Sequence, residues 1–243
     1  MNTPPVFSQQ DQQYLYNAPI SIEKSNSVIR WSYIWMFFGL LVTTAVSWVT
    51  YNNIVAGTIE LSRGLLLGAI VAQLGIVIGL SWAMNRIPAW LAALLFMVYA
   101  AVTGFTLSTI FIVYTSESII SAFGTTAVLF GIMTVYGLTT KADLSKWGTY
   151  LMIGLIGIIV ASVINIFIGS SSLQIIVSII GVIIFTGLTA YDTQWIKNAA
   201  SHPAVQQDDQ MALKVGIMGA LKLYLDFINL FLMLLRIFGG RRS

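Results

Sequence analysis

The sequence predicts an all-α, polytopic membrane protein with seven transmembrane helices, the seventh of them central. Apolar runs of about 20 residues recur along the chain, each long enough to cross a hydrocarbon core of about 30 Å as a helix. Of the 243 residues, 57% are hydrophobic and only 9% are charged, against about 25% charged in an ordinary soluble domain. The strand-length alternation of apolar and polar residues that an outer-membrane barrel needs is absent.

The apolar runs place the spans at Trp31–Tyr51, Leu65–Met84, Ala89–Val113, Ile119–Leu138, Gly148–Ile168, Leu173–Ile196 and Val215–Phe238. Residues 1–30 are rich in Gln, Asn, Ser and Pro and lack a short apolar core ending in a cleavage site, so they read as a retained, flexible polar tail. Residues 31–238 form the transmembrane domain, and 239–243 a basic C-terminal tail. The connections are short, so function has to reside in the bundle. The longest, 197–214, carries Pro203 and a Gln/Asp cluster, as a solvated loop would. No internal repeat favours an inverted-repeat transporter.

Charge sets the orientation. Lys24, Arg30, Arg86, Lys141, Lys146, Lys197 and Lys214 fall on the side of the N-terminus, and Arg63, Arg236, Arg241 and Arg242 on the other. The excess marks the N-terminal side as cytoplasmic, although the C-terminal arginines argue the other way. Trp31, Trp48, Trp82, Trp90 and Trp147 fall near span ends, where interfacial anchors belong. Gly64 with Gly68, and Gly75 with Gly79, have the spacing that lets a membrane helix approach a neighbour closely.

Several chemistries are excluded. Without cysteine there are no disulfides or thiolate sites, and the single histidine, His202, cannot build a histidine-rich metal centre. The net charge of +3 is spread over tails, loops and helix ends, so no basic surface suggests a nucleic-acid partner. No nucleophile motif or phosphate-cradling glycine loop is present. The expectation is a protein that is not an enzyme and has no resident cofactor.

Two acidic residues stand out. Seven of the nine lie in tails, loops or span ends, but Asp192 and Asp226 lie inside spans. A charged Asp near the centre of a membrane helix costs about 2.5–3.5 kcal/mol, so such residues face the bundle interior and mark a pathway or relay. Lys222, Asp226, Asn229, Met233 and Arg236 follow at spacings of four and three and share one helical stripe. A helix with such a polar face is best accommodated among other helices, lining a central path. Lys222 and Asn229 are the candidate pore-lining residues. If Asp192 and Asp226 meet, one of the two retains a proton, because two close carboxylates in low dielectric do not easily both ionise. Arg86, at the end of the second span on the same membrane side, is the candidate cation that would contact a carboxylate. The bland alternative pairs Asp226 with Lys222 one turn away and lets Asp192 reach water.

At these residues the chain resembles the Bax inhibitor family, the transmembrane Bax inhibitor motif proteins. The matching stretches are "GLTAYDTQWIK" (187–197), "LKLYLDFINLFLMLLRIFG" (221–239), "YGLTTKADLSKWG" (136–148) and "TGFTLSTIFIVY" (103–114). The resemblance implies six helices around a seventh and a calcium leak controlled by pH. In it Asp192 and Asp226 form a hydrogen-bonded pH sensor, and Arg86, in "WAMNRIPAW", is the arginine near the end of the second helix. One departure is Gln73, in "AIVAQLGIVIG", where some relatives carry an acid. Lys222 beside the second aspartate is another possible departure. Calcium prefers six to eight oxygen ligands, so Asp192 and Asp226 would form only a transient metal site.

The leading expectation is therefore a pH-sensitive leak for calcium or another cation, in a bacterial inner membrane. The alternative is a regulatory protein that binds other membrane proteins, for example a membrane protease. An intramembrane aspartyl protease is disfavoured, because Asp226 is preceded by "LYL" and not by the Gly-x-Gly of that pattern.

Overall fold

The structure is a computed structural model that describes residues 21–84 and 86–240. Its helices are α1 (Ile22–Val55), α2 (Arg63–Ala83), α3 (Ala89–Val113), α4 (Ser116–Thr139), α5 (Ser145–Ile168), α6 (Ser171–Ala200), α7 (Pro203–Gln207) and α8 (Asp209–Phe238). All except α7 are long and apolar enough to cross a membrane.

Three of these helices outrun the apolar pattern. Helix α1 begins at Ile22, so residues 22–30 are helical rather than part of a flexible tail. The start is fixed by Ser21, whose hydroxyl caps the helix by accepting from the Lys24 amide, and by a Lys24–Asp209 ion pair at 2.6 Å. The first 20 residues of the expected tail lie outside the described residues, as do 241–243 of the basic C-terminal tail. Helix α6 continues to Ala200, eight residues or about 12 Å past Asp192. Helix α8 starts at Asp209, where the Asp208 side chain caps the Gln210 amide.

Helix α8 is the core of the bundle. It packs against α6, α1, α4 and α3, whereas α2 leans chiefly on α3 and α5 on α6. In the apolar stretch of α8, 72% of residues are buried inside the protein, against 6% in α2 and in α5. The bundle is thus an inner group of five helices with two outer ones whose faces are left to lipid.

Hydroxyls and small residues hold the inner group together, as expected where lipid removes any hydrophobic drive between helices. Thr43 on α1 donates to the Ala100 carbonyl of α3 (2.9 Å) and contacts the Tyr224 hydroxyl of α8 (2.5 Å). One turn on, Ser47 donates to the Gly104 carbonyl at 2.7 Å. The fully buried Tyr224 ring meets Phe96 and Tyr99 edge-on. Helices α4 and α6 approach so closely at Gly137 that a Cβ there would lie 2.6 Å from the Ala190 carbonyl oxygen. The spaced glycines of α2 behave differently: Gly64, Gly68, Gly75 and Gly79 face open space. Their spacing does not mark a packing face within this chain.

Candidate functional site

The run Tyr191–Lys197 lies where α6 is enclosed on several sides, so successive residues face different neighbours. Tyr191 packs on Gly148 of α5, where a Cβ would come within 2.5 Å of its ring. The Thr193 hydroxyl meets Tyr33 Oη of α1 at 3.0 Å. The Gln194 side chain accepts from the Leu144 amide and donates to the Ala142 carbonyl, both at 2.8 Å, tying the α4–α5 connection to α6. Lys197 donates to the Leu138 carbonyl at the end of α4, at 2.7 Å.

Asp192 faces α8. It is only 5% exposed, and its Oδ1 accepts from Lys222 Nζ at 2.7 Å. The Lys222 ammonium also lies 4.9 Å from the centre of the Trp195 ring, a cation–π contact that holds it above the carboxylate. Asp226, one turn further along α8 and 3% exposed, lies on the same face of the helix, with its carboxyl group beside that of Asp192. Two carboxylates are both acceptors, so this contact forms a bond only when one of them carries a proton. Asp226 Oδ2 finds no donor among the described residues. Tyr33 Oη also donates to Thr134 Oγ1 of α4 at 3.4 Å.

The cation at the pair is therefore Lys222. Arg86 is exposed in the turn after α2, its guanidinium 4.4 Å from the centre of the Trp82 ring, and it forms no ion pair among the described residues. Lys222 reaches across to α6 because positions 222 and 226 share the face of α8 that packs on it. Asn229, the other expected pore-lining residue, is half-buried and donates to the Leu225 carbonyl of its own helix at 2.8 Å. Beyond Asp226, α8 is sheathed in buried Phe227, Leu230, Phe231, Met233 and Leu234. Buried Ile217, Leu221 and Leu223 precede the carboxyl pair, and the stretch from Phe227 onward forms an apolar plug beyond it.

The family model described as inhibitor of apoptosis-promoting Bax1 matches residues 25–243. The chain belongs to the Bax inhibitor family. It is 51% identical over 213 residues to the inner membrane protein YbhL of Escherichia coli K12, covering 86% of this chain and 90% of that one. An uncharacterized protein of Borreliella burgdorferi is 46% identical over 209 residues, with 86% and 89% covered. One of Deinococcus radiodurans is 39% identical over 230 residues, with 95% and 97% covered. This member of the Bax inhibitor family is a multi-pass protein of the bacterial inner membrane, in contact with the lipid bilayer.

Tyr33, Thr193 and Trp195 complete the site of this family member, and the sequence analysis did not single them out. Hydroxyls and aromatics are spread throughout the chain, and nothing in their spacing marks these three. Their adjacency to Asp192, for Thr193 and Trp195, was the only signal available.

Proposed function

We propose that this chain is a passive, pH-sensitive leak for calcium or a similar cation, gated by Asp192 and Asp226. The observation that supports this reading is the contact of two buried carboxyl groups across the α6–α8 interface. With one proton on the pair and a charged Lys222, the cluster is neutral overall, the form least costly to hold in low dielectric. A second proton removes the anion that Lys222 binds. Loss of the first leaves two anions in contact, which repel strongly where water is scarce. Either change weakens the tie between α6 and α8, the helix that carries the apolar plug.

Calcium in this reading is cargo, not a resident ion. The donor set is two carboxylates, one engaged by an ammonium group, and no group of three or more acidic, histidine or cysteine side chains occurs among the described residues. That is far short of six to eight oxygens. Flow is downhill, since nothing in the sequence supplies energy.

The test is calcium uptake into liposomes containing the purified protein across pH 5–8. Asp192→Asn keeps the shape without titrating and is expected to flatten the pH response. An unchanged profile removes Asp192 from the sensor. Comparing Lys222→Met with Arg86→Ala then identifies the gating cation. The geometry leads us to expect an altered profile in the first and little change in the second. The reverse result would return the role to Arg86. No flux above empty liposomes at any pH would favour the regulatory reading, in which the protein acts by binding other membrane proteins.

A further inference from the structure

A cavity of about 460 Å³ opens where α1, α4 and α6 converge, at the end of the bundle that the charge distribution marks as cytoplasmic. Its polar lining comes from Ser25, Asn26, Arg30, Lys197 and Ser201, with Leu138 closing one side, and among the described residues no acidic side chain lines it. Arg30 is exposed and has no ion pair or hydrogen bond among the described residues. Lys197 spends one of its three N–H groups on the Leu138 carbonyl and keeps the others free. The acids at this end lie elsewhere. Glu23 and Asp209 line a separate cavity beside Lys24, which Asp209 neutralises.

Two cations share one cavity with no counter-ion among the described residues, and both lie at the ends of apolar spans. Arg30 directly precedes the half-exposed Trp31, and Lys197 follows the last apolar residue of its span. An arginine fork presents paired N–H groups to two oxygens of one anion, and the lysine adds a point charge.

We infer that this cavity binds a phosphate group, carried by an anionic phospholipid or free on the cytoplasmic side. Bound there, the phosphate bridges α1 to α6. Arg30 lies one turn before Tyr33, and Lys197 one turn after Thr193, whose hydroxyls already join the same two helices. The anion therefore ties the helix that carries Asp192 to its neighbour at a second point.

The experiment measures binding to the purified full-length protein in a neutral detergent, by native mass spectrometry and by the shift in its thermal unfolding midpoint. The probes are phosphatidylglycerol, phosphatidylcholine with the same acyl chains, and inorganic phosphate. Phosphatidylglycerol is expected to bind and stabilise, and phosphatidylcholine much less. Arg30→Gln, which breaks no internal hydrogen bond, should weaken binding about fivefold, and Arg30→Gln with Lys197→Gln about thirtyfold. Arg63→Gln, on the opposite membrane side, should bind as the parent does. Equal stabilisation by inorganic phosphate identifies the free ion as the source, and its failure identifies the lipid. Undiminished phosphatidylglycerol binding in the double variant would overturn the site. Equal binding of phosphatidylcholine, or an equal loss in Arg63→Gln, would do the same.

Discussion

Helices α5 and α8 are each long enough to cross the membrane, yet they solve opposite problems. Helix α5 is the most apolar of the seven and has only 6% of its apolar stretch buried in protein. Its Ile156, Ile159, Val160 and Val163 are left to lipid. Helix α8 carries Lys222 and Asp226 and is the most enclosed, with Asp226 and Tyr224 both bonded or in contact across helix interfaces. In this pair the more apolar helix lies outside, and the helix with in-span charge lies at the centre. That inverts the rule for a soluble core.

Substitutions that exchange the two environments should have the largest effects. Ile159→Asp puts a charge on the lipid face of α5, and its expected cost is about 2.5–3.5 kcal/mol, read as a reduced fraction of membrane-inserted protein. Full insertion would show that this face is covered and not lipid-exposed. Gly137→Val drives a side chain into the Ala190 carbonyl at the α4–α6 contact. Overpacking of this kind costs about 1–3 kcal/mol, measurable by unfolding in increasing SDS.

Weaker tests sharpen the same contrast. Thr43→Val removes the hydroxyl that joins α1 to α3 and α8. Such bonds in membrane proteins contribute about 0.6 kcal/mol on average and up to about 1.7, so the SDS midpoint should fall slightly. Ile159→Leu, which stays apolar on the lipid face, should change stability by less than about 0.5 kcal/mol. A larger loss there would point to specific packing against α5.

The spans were legible because a stretch that must replace water with lipid has to be almost uniformly apolar, and the chain meets that demand seven times. Their ends were less so. Hydropathy does not distinguish a polar helix outside the membrane from a polar tail, and so residues 22–30 and 197–200 looked like tail and loop. Asp192 and Asp226 were visible as charges in apolar surroundings. Their meeting depended on how far α6 and α8 extend, which no residue pattern specifies. Lys222 was assigned by sequence proximity to Asp226, but a helix face presents both residues to α6, and the ammonium bonds to Asp192. Glycine spacing was the least informative signal. The paired glycines of α2 face open space, while the isolated Gly137 and Gly104 mark close helix approaches.

The most direct test of the central claim is calcium flux into proteoliposomes from pH 5 to 8, comparing the parent protein with Asp226→Asn. The amide can donate to Asp192 while the Asp192–Lys222 pair stays intact, so the cluster remains neutral without a titrating proton at position 226. The account predicts a pH-dependent flux in the parent and, in the variant, loss of the response to deprotonation of the pair, with only the acid-side response of Asp192 remaining. A variant that follows the parent's pH profile would contradict it.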